Sequence, residues 1–368
     1  MSPPPTTGRT RSVHALAWWG WAVAIAFVAL SSTNLVALAA TAAAIALVLA
    51  TCAVDSPTAR AATVFLRFGL GIVAIRVALG VLLGSKPGGH VLVRLPSATL
   101  PGWAAGISVG GPVSVEVLVD ALAQGAQLGV ALVALGAVNA LCSPYRLLRL
   151  VPAPLYELGV AATVAVSSAP NAVVALDRIR TARRLRGRPT RGPRALRHLA
   201  LPMLEGALDR SVELAASMDV RGFGRTDTDE SRRRRTHAAM ALGIVAASIA
   251  VYGAAVPGPP RWIALVATAA SAVSFATALR AGSTHTRRSR YRPERWDRRA
   301  SVIALGAAAA IVGTVATAAW APLATAPPVR PLGIPAVPWG WLVTLLGLYL
   351  PAVVASPVAV EADVAART

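Results

Sequence analysis

The sequence is poor in charged residues, in lysine and in cysteine, and each shortage excludes a class of protein. Charged residues make up 14% of the chain, whereas soluble globular domains carry about 25%. Hydrophobic residues reach 55%, and the mean hydropathy is +0.59. This composition excludes a soluble globular protein and indicates a membrane protein.

The net charge of +20 comes from arginine, because Lys86 is the only lysine in the sequence. In a soluble protein so basic a composition would indicate nucleic-acid binding. Here the arginines are confined to a few segments between apolar runs, as the positive-inside rule of membrane topology produces. We therefore expect the chain to lie in the lipid bilayer and to bind no nucleic acid.

Motifs of cofactor, metal and nucleotide chemistry are also missing. The patterns GxxxxGK[ST], GxGxxG and HExxH do not occur. Cys52 and Cys142 form no CxxC motif, and the five histidines contain no i, i+4 pair. We expect no metal site, no cofactor, no ATP hydrolysis by a P-loop and no enzymatic activity.

Eight apolar segments approach the roughly 20 residues that a membrane-spanning helix needs. Tryptophans at several segment ends support their boundaries, since indole rings prefer the headgroup layer. The first segment lacks a clear cleavage site, so we expect it to be retained as a membrane helix. The predicted fold class is all-α, a polytopic membrane protein with about eight transmembrane helices. The segments are Ala15–Ser31, Leu35–Val54, Ala61–Leu83, Val115–Ala137, His237–Ala255, Trp262–Leu279, Ser301–Trp320 and Trp339–Ala359.

The placement of arginine predicts the orientation of these segments. If they alternate, the basic groups before the first helix, at Arg60, at 178–235 and at 280–299 all fall on one side. The positive-inside rule makes that side the cytoplasm. We therefore expect a multi-pass protein of the cell (plasma) membrane with both termini cytoplasmic. The Gly/Pro-rich loop Gly84–Pro112 and the proline-rich stretch 322–338 then face the outside.

The apolar segment Leu158–Ala169 does not fit this count, because arginines flank it on both sides. A single crossing would place one of these groups outside. We interpret the segment as a buried or interfacial helix on the cytoplasmic face, or a re-entrant piece. The alternative is a ninth crossing.

The arginine-rich island Arg178–Arg235 is the part of the chain that can work in water, and it carries two predicted helices. The first begins at Pro170 and ends at Arg186-Gly187. The second runs from about Arg194 to Val220, where Gly222 can end it in left-handed geometry. Its apolar stripe is Leu201, Leu204, Leu208, Val212 and Ala216, beside an acidic stripe of Glu205, Asp209 and Glu213.

Both island helices thus end in Arg-Gly. One arginine in the last turn of a helix is ordinarily explained by the helix dipole. Two such ends, each closing a cytoplasmic amphipathic helix, favour a functional interpretation. The guanidinium group is a planar, permanently charged fork suited to carboxylates or helix ends in a partner's groove.

From Val115 to Thr226 the sequence resembles the T component of energy-coupling factor (ECF) transporters, the EcfT/CbiQ family. That family carries two Ala-Arg-Gly signatures at the ends of its cytoplasmic coupling helices. The matching runs here are Leu185-Arg186-Gly187 and Met218-Asp219-Val220-Arg221-Gly222-Phe223. Leu185 and Val220 replace the alanines, and Asp219 replaces a glutamate, while arginine and glycine are kept in both signatures.

The resemblance implies a non-catalytic scaffold in an ABC-type importer of vitamins or of transition-metal ions such as cobalt or nickel. Its partners would be two ABC-type ATPase subunits and a membrane-embedded, substrate-binding S component. Arg186, Gly187, Arg221, Gly222 and Asp219 would form the ATPase-coupling tips. The expected domains are N-terminal transmembrane helices in 1–140, coupling helices in 141–236 and C-terminal transmembrane helices in 237–368. The last part is longer than the family requires.

Glu116 and Asp120 are the exception to a scarcity of acidic residues in the apolar segments. They lie four residues apart on one helical face, and intramembrane carboxylates indicate functional sites. One interpretation is a headgroup-level pair or a polar surface toward an S component. The alternative is a self-sufficient secondary transporter that uses both carboxylates for ion coupling.

Overall fold

A computed structural model describes most of the chain, and everything structural below refers to that part. The described residues are 13–52, 59–83, 90–99, 108–148, 150–151, 155–187, 192–223, 230–255, 261–283, 296–328 and 337–355. Several predicted features lie outside them: the N-terminal arginines, Pro189 and the two arginines at 188–191, most of the basic loop 280–299, and the end of the last predicted span.

The described residues are mainly helical, and each of the eight predicted segments coincides with a helix. The long helices are α1 (Ala15–Leu30), α2 (Leu35–Cys52), α3 (Ala59–Leu83), α4 (Val115–Leu141), α6 (Tyr156–Leu185), α7 (Pro193–Val220), α8 (Glu230–Ala255), α9 (Arg261–Ser283), α10 (Arg298–Trp320) and α12 (Trp339–Val354). Two short helices, α5 (Pro144–Leu148) and α11 (Pro322–Thr325), lie between them.

Six of the helices are long and apolar enough to cross a membrane: α2, α3, α4, α6, α8 and α10. The apolar helices α1 and α12 and the apolar part of α9 are shorter. Together they make the chain a polytopic, mainly helical membrane protein.

The mainly helical structure agrees with an all-α fold, and the Gly/Pro-rich loop adds one β-hairpin that the sequence analysis did not predict. Strand β1 (Val91–Thr99) pairs antiparallel with β2 (Ser108–Ser114). The register shifts between Leu95 and Ala98, where Pro96 has no N–H to donate. Gly110 and Gly111 have φ of 86° and 110°, a backbone region that glycine enters without strain.

Contacts divide the chain into two compact units. Unit 1 comprises residues 1–146 and 292–368, and unit 2 comprises residues 147–291. The helices α8 and α9 belong to unit 2, whereas α10, α11 and α12 belong to unit 1 with the N-terminal helices.

In unit 1, α3 and α4 pack closely because glycines replace side chains along their contact. A Cβ on Gly129 would lie 3.1 Å from the Gly69 carbonyl oxygen, and one on Gly125 would lie 3.0 Å from the Val73 Cα. Small residues of this kind let two membrane helices approach without a hydrophobic driving force. The outer face of α3 carries exposed apolar side chains such as Phe68, as a lipid-facing surface does.

The N- and C-terminal parts of unit 1 are joined by hydrogen bonds between residues far apart in sequence. The buried indole of Trp21 donates to the Leu348 carbonyl at 3.0 Å. At one end of the bundle, the Ser32 hydroxyl donates to the Thr325 carbonyl at 2.9 Å. The Asn34 amide donates to a second carbonyl of α11, also at 2.9 Å. Each bond satisfies a polar group that would be costly to bury alone.

In unit 2, α6 contacts α7 and α8 contacts α9. The prediction of a separate helix beginning at Pro170 is wrong, because Pro170 lies inside the continuous 30-residue α6. Proline removes a single backbone donor, and the rest of a long helix remains bonded. By length and composition α6 qualifies as a crossing helix, which was the alternative interpretation of the segment Leu158–Ala169.

Candidate functional site

The C-terminal end of α6 is closed by a glycine in left-handed conformation. Arg186 follows the last helical residue, and its N–H donates to the carbonyls of Ala182 and Arg183. Gly187 has φ of 66°, and its N–H donates to the Arg184 carbonyl at 3.1 Å. This bond satisfies a carbonyl of the last turn and fixes the direction in which the chain leaves the helix.

Helix α7 ends in the same way, with one additional backbone hydrogen bond. Gly222 has φ of 75°, and its N–H donates to the Asp219 carbonyl at 2.8 Å. The N–H of Phe223 donates to the Met218 carbonyl at 3.0 Å. These two bonds define a Schellman motif, so the prediction that Gly222 ends the helix in left-handed geometry is confirmed.

Both helix ends present an aliphatic side chain and an arginine to the outside. Leu185 is 83% exposed and Val220 is 90% exposed. Arg186 and Arg221 are exposed beside them, and neither forms an ion pair with any acidic residue the structure describes. We call these ends the Arg186 tip (Leu185-Arg186-Gly187) and the Arg221 tip (Val220-Arg221-Gly222). Large aliphatic side chains this exposed, at rigid positions, are suited to filling a partner's pocket.

The Arg186 tip and the Arg221 tip close two different helices. The Arg186 tip follows α6 and precedes α7 in the chain, whereas the Arg221 tip closes the far end of α7. The 28 residues of α7 extend about 42 Å at 1.5 Å per residue, so a helix of this length lies between the two tips along the chain.

The faces of α7 lie as the sequence pattern predicts, but the apolar stripe has no partner within the described chain. Leu201, Leu204, Leu208 and Val212 are between 60% and 68% exposed. The acidic side chains of Glu205, Asp209 and Glu213 are exposed as well. Asp219, the acidic residue of the Arg221 tip, is exposed, and its backbone carbonyl accepts the bond that closes the helix.

Glu116 and Asp120, the predicted intramembrane pair, lie in different surroundings. Glu116 is 5% exposed, and its Oε1 accepts a hydrogen bond from the backbone N–H of His90 at 3.0 Å. It thereby fastens the base of the hairpin to the first turn of α4. Asp120 is half-buried one turn further on. Its carboxylate has no hydrogen-bond or ion-pair partner among the described residues. The structure therefore does not join the two carboxylates into one site.

Sequence reasoning missed Arg76, one of two arginines inside the apolar span of α3. Arg76 lies in the span Ala62–Leu83 and donates to the Gln124 side chain of α4. An arginine within a membrane helix raises the free energy of insertion, and such residues therefore pair with polar groups on neighbouring helices. The signal was available in the sequence, because Arg76 interrupts a long run of apolar residues. With Asp120 and Gln124 it extends the polar face of α4.

The described residues contain no cluster of three or more His, Cys, Asp or Glu side chains that could hold a metal ion. His14 is buried; its Nδ1 accepts from the Leu16 N–H, and its ring packs 4.9 Å from that of Trp296. This histidine therefore caps α1 and contributes to packing.

Comparison of the chain with protein-family models, with curated proteins and with solved structures gave no match. The resemblance to T components accordingly depends on the residues of the two tips.

Proposed function

We propose that the chain is the transmembrane energy-coupling subunit of an ECF-type importer. It would be a non-catalytic scaffold that passes the motion of two ABC-type ATPases to a membrane S component, for uptake of a vitamin or a transition-metal ion. The observation that carries the proposal is the repeated helix end at both α6 and α7: an exposed aliphatic residue, an arginine with no ion-pair partner among the described residues, and a glycine with positive φ.

Each part of a tip has a role in docking. The guanidinium group can bind a carboxylate or a helix C-terminus through two parallel hydrogen bonds. The aliphatic side chain of Leu185 or Val220 would fill an apolar pocket beside it. The glycine lets the chain turn sharply away, so that the arginine stands at the extremity. Because α7, a helix about 42 Å long, lies between the two tips along the chain, they suit two ATPase subunits.

The proposal requires that both tips lie in the cytoplasm. We place α6 along the cytoplasmic surface of the membrane, because a crossing would separate Arg178–Arg186 from Arg146 and oppose the positive-inside rule. The termini are then cytoplasmic in the plasma membrane. We assign the exposed apolar stripe of α7 to the bilayer. On the polar face of α4, Asp120 would face the S component, whereas Glu116 is 5% exposed and holds the base of the hairpin.

Co-purification tests the proposal. The tagged full-length chain, co-expressed with ATPase and S-component genes encoded near its own, should retain both ATPase subunits in detergent. The double variant Arg186→Glu and Arg221→Glu should lose them, because like charges then face each other across an acidic groove. The control is Arg280→Glu with Arg298→Glu, two exposed arginines of α9 and α10 outside the tip-bearing helices, which should leave association unchanged.

Two results would contradict the proposal. If the tip variant and the control retain the ATPases equally, the tips are not the docking sites. If the purified chain alone transports a solute in liposomes without ATPases, the chain is a secondary transporter, and Glu116 and Asp120 become the residues to replace.

The orientation is tested separately by thiol labelling. Cysteines introduced at the exposed positions Ala182 and Ala215 should react with a membrane-impermeant maleimide only after the cells are opened. Of the native cysteines, Cys142 is buried and Cys52 is half-buried, so a background from them should be low. Labelling of either introduced cysteine in intact cells would place the tips outside and end the proposal.

A further inference from the structure

The contact between α6 and α7 encloses a cleft of about 390 Å³, within the size range of small-molecule sites. Its wall includes the apolar side chains of Ile179, Pro202 and Met203. Its polar groups are Arg178 and Asn171 from α6 and Arg210 from α7. The cleft thus combines an apolar surface with two guanidinium groups and one amide, and it lies away from both helix tips.

The two arginines of the cleft have no acidic partner among the described residues. The nearby ion pair joins Arg180 to Asp177 at 3.6 Å and leaves Arg178 out. The acidic stripe of α7 forms no ion pair with Arg210 within the described chain. Two positive charges facing one cleft repel each other, and an anion between them removes that repulsion. Guanidinium forks bind phosphate and carboxylate groups through paired hydrogen bonds.

The position of the arginine on α7 depends on a glycine. A Cβ added to Gly206 would lie 3.4 Å from Nη1 of Arg210, so the guanidinium group lies back along the helix over the space that a side chain would otherwise fill. This arrangement brings Arg210 into the cleft instead of leaving it extended into solvent.

The cleft lies where α6 changes from apolar to charged. The helix is apolar up to Leu176, and Asp177, Arg178 and Arg180 follow. Beside the cleft, Val173 is 60% exposed and Leu201 is 62% exposed. On a helix at the membrane surface, an arginine beside such exposed apolar side chains keeps its stem in the apolar layer and its charge among the headgroups, where anionic lipids attract basic residues.

We propose that the α6–α7 cleft binds the phosphate headgroup of an anionic phospholipid, held by Arg178, Arg210 and the Asn171 amide. The apolar wall then receives the beginning of the acyl chains. A bound lipid bridges the two tip-bearing helices and fixes their separation at the membrane surface. The proposal does not depend on ATPase docking, because neither tip contributes to the cleft.

Lipid binding to the purified full-length protein tests this site. Native mass spectrometry would count adducts after addition of phosphatidylglycerol or phosphatidylcholine, and a titration would give the dissociation constant. The variant is Arg178→Gln with Arg210→Gln, and the control is Arg184→Gln with Arg197→Gln, exposed arginines of the same helices that do not line the cleft. Both pairs remove the same charge.

We expect phosphatidylglycerol to bind and phosphatidylcholine not to. Because a basic residue beside an anionic lipid contributes about fivefold in affinity, the cleft variant should bind about 25-fold more weakly. The control should change affinity by less than about twofold. Equal losses in both pairs, or no loss in the cleft pair, would overturn the proposal. Displacement by an equal concentration of inorganic phosphate would also overturn it, since the site would then serve a soluble anion.

Discussion

Replacing Gly313 by alanine tests the close approach of α10 and α12. A Cβ at Gly313 would lie 2.7 Å from Oγ1 of Thr344 and 2.8 Å from the Gly340 carbonyl oxygen. The Thr344 hydroxyl has little freedom to move away, because it donates to Gly340 and Ala310 carbonyls and lies 3.3 Å from the hydroxyl of Thr314. The alanine methyl can therefore be accommodated only if the helices separate.

The sign of the effect follows from two opposing terms. Alanine is the better helix former by about 0.5–1 kcal/mol. Overpacking a close contact costs about 1–3 kcal/mol, and here one of the atoms that must yield belongs to the backbone. We expect a net loss of about 1–2 kcal/mol, which lowers the ratio of folded to unfolded protein by a factor of about 5–30.

The assay is thermal unfolding of the purified protein in one detergent, followed by tryptophan fluorescence. Trp21 and Trp341 are buried in the same unit and report on its opening. The controls are Gly20→Ala on α1 and Gly71→Ala on α3, where an added Cβ has no neighbour within 4 Å. These variants should unfold no lower than the wild type. If Gly313→Ala unfolds at or above the controls, α10 and α12 do not approach as closely as the structure shows.

Three further substitutions each test one specific feature of the structure. Trp21→Phe should lower the unfolding midpoint by the loss of one buried hydrogen bond, about 1 kcal/mol; Trp19→Phe is the control, because its indole N–H has no partner in the described structure. Glu116→Ala should speed limited proteolysis of the hairpin, whereas Glu116→Gln keeps an acceptor for the His90 N–H and should not; equal cleavage would contradict the fastening role. Gly222→Ala forces alanine to a φ of 75°, which costs about 1 kcal/mol, and should reduce ATPase recovery at unchanged protein yield.

The local features of this fold were predictable from the sequence because they depend on short stretches of chain. The length of an apolar run fixes where a membrane helix lies, and all eight predicted segments are helices. A glycine after the last periodic residue fixes how a helix ends, and Gly222 has the predicted positive φ. Pro170 was wrongly predicted to start a helix, because proline lacks a backbone donor and is favoured at helix starts. It lies inside the much longer helix α6.

The long-range features were not predictable from one sequence. The bond from Trp21 to Leu348 joins residues 327 positions apart, and no local pattern marks either partner. The glycines of α10 and α12 form a contact only because their helices are adjacent in space. For the same reason, the pairing of Arg178 with Arg210 around one cleft could not be read from their spacing. The hairpin was missed because its glycines and prolines indicated a loop.

If the chain is the proposed coupling subunit, the division into two units has a consequence that Arg146→Gln can test. Unit 2 is inserted into unit 1, so two chain connections join them, after Arg146 and before Arg292. Beside the first connection, Arg146 donates to the Val13 carbonyl at 2.8 Å. Near the second, Trp296 packs against His14, with the ring centroids 4.9 Å apart. Both connections are therefore anchored at the start of α1.

A movement transmitted through either connection would therefore reach the start of α1. In the proposed importer, loosening the first anchor should leave the tips free to dock while weakening the transmission of movement. Arg146→Gln is accordingly expected to retain the ATPases on co-purification but to reduce uptake several-fold, because it removes the guanidinium group that donates to the Val13 carbonyl. Arg280→Gln, at an exposed position of α9, is the control and should leave both unchanged. If Arg146→Gln lost the ATPases as completely as the tip variants, the anchor would act on docking itself, and transmission through the start of α1 would be refuted.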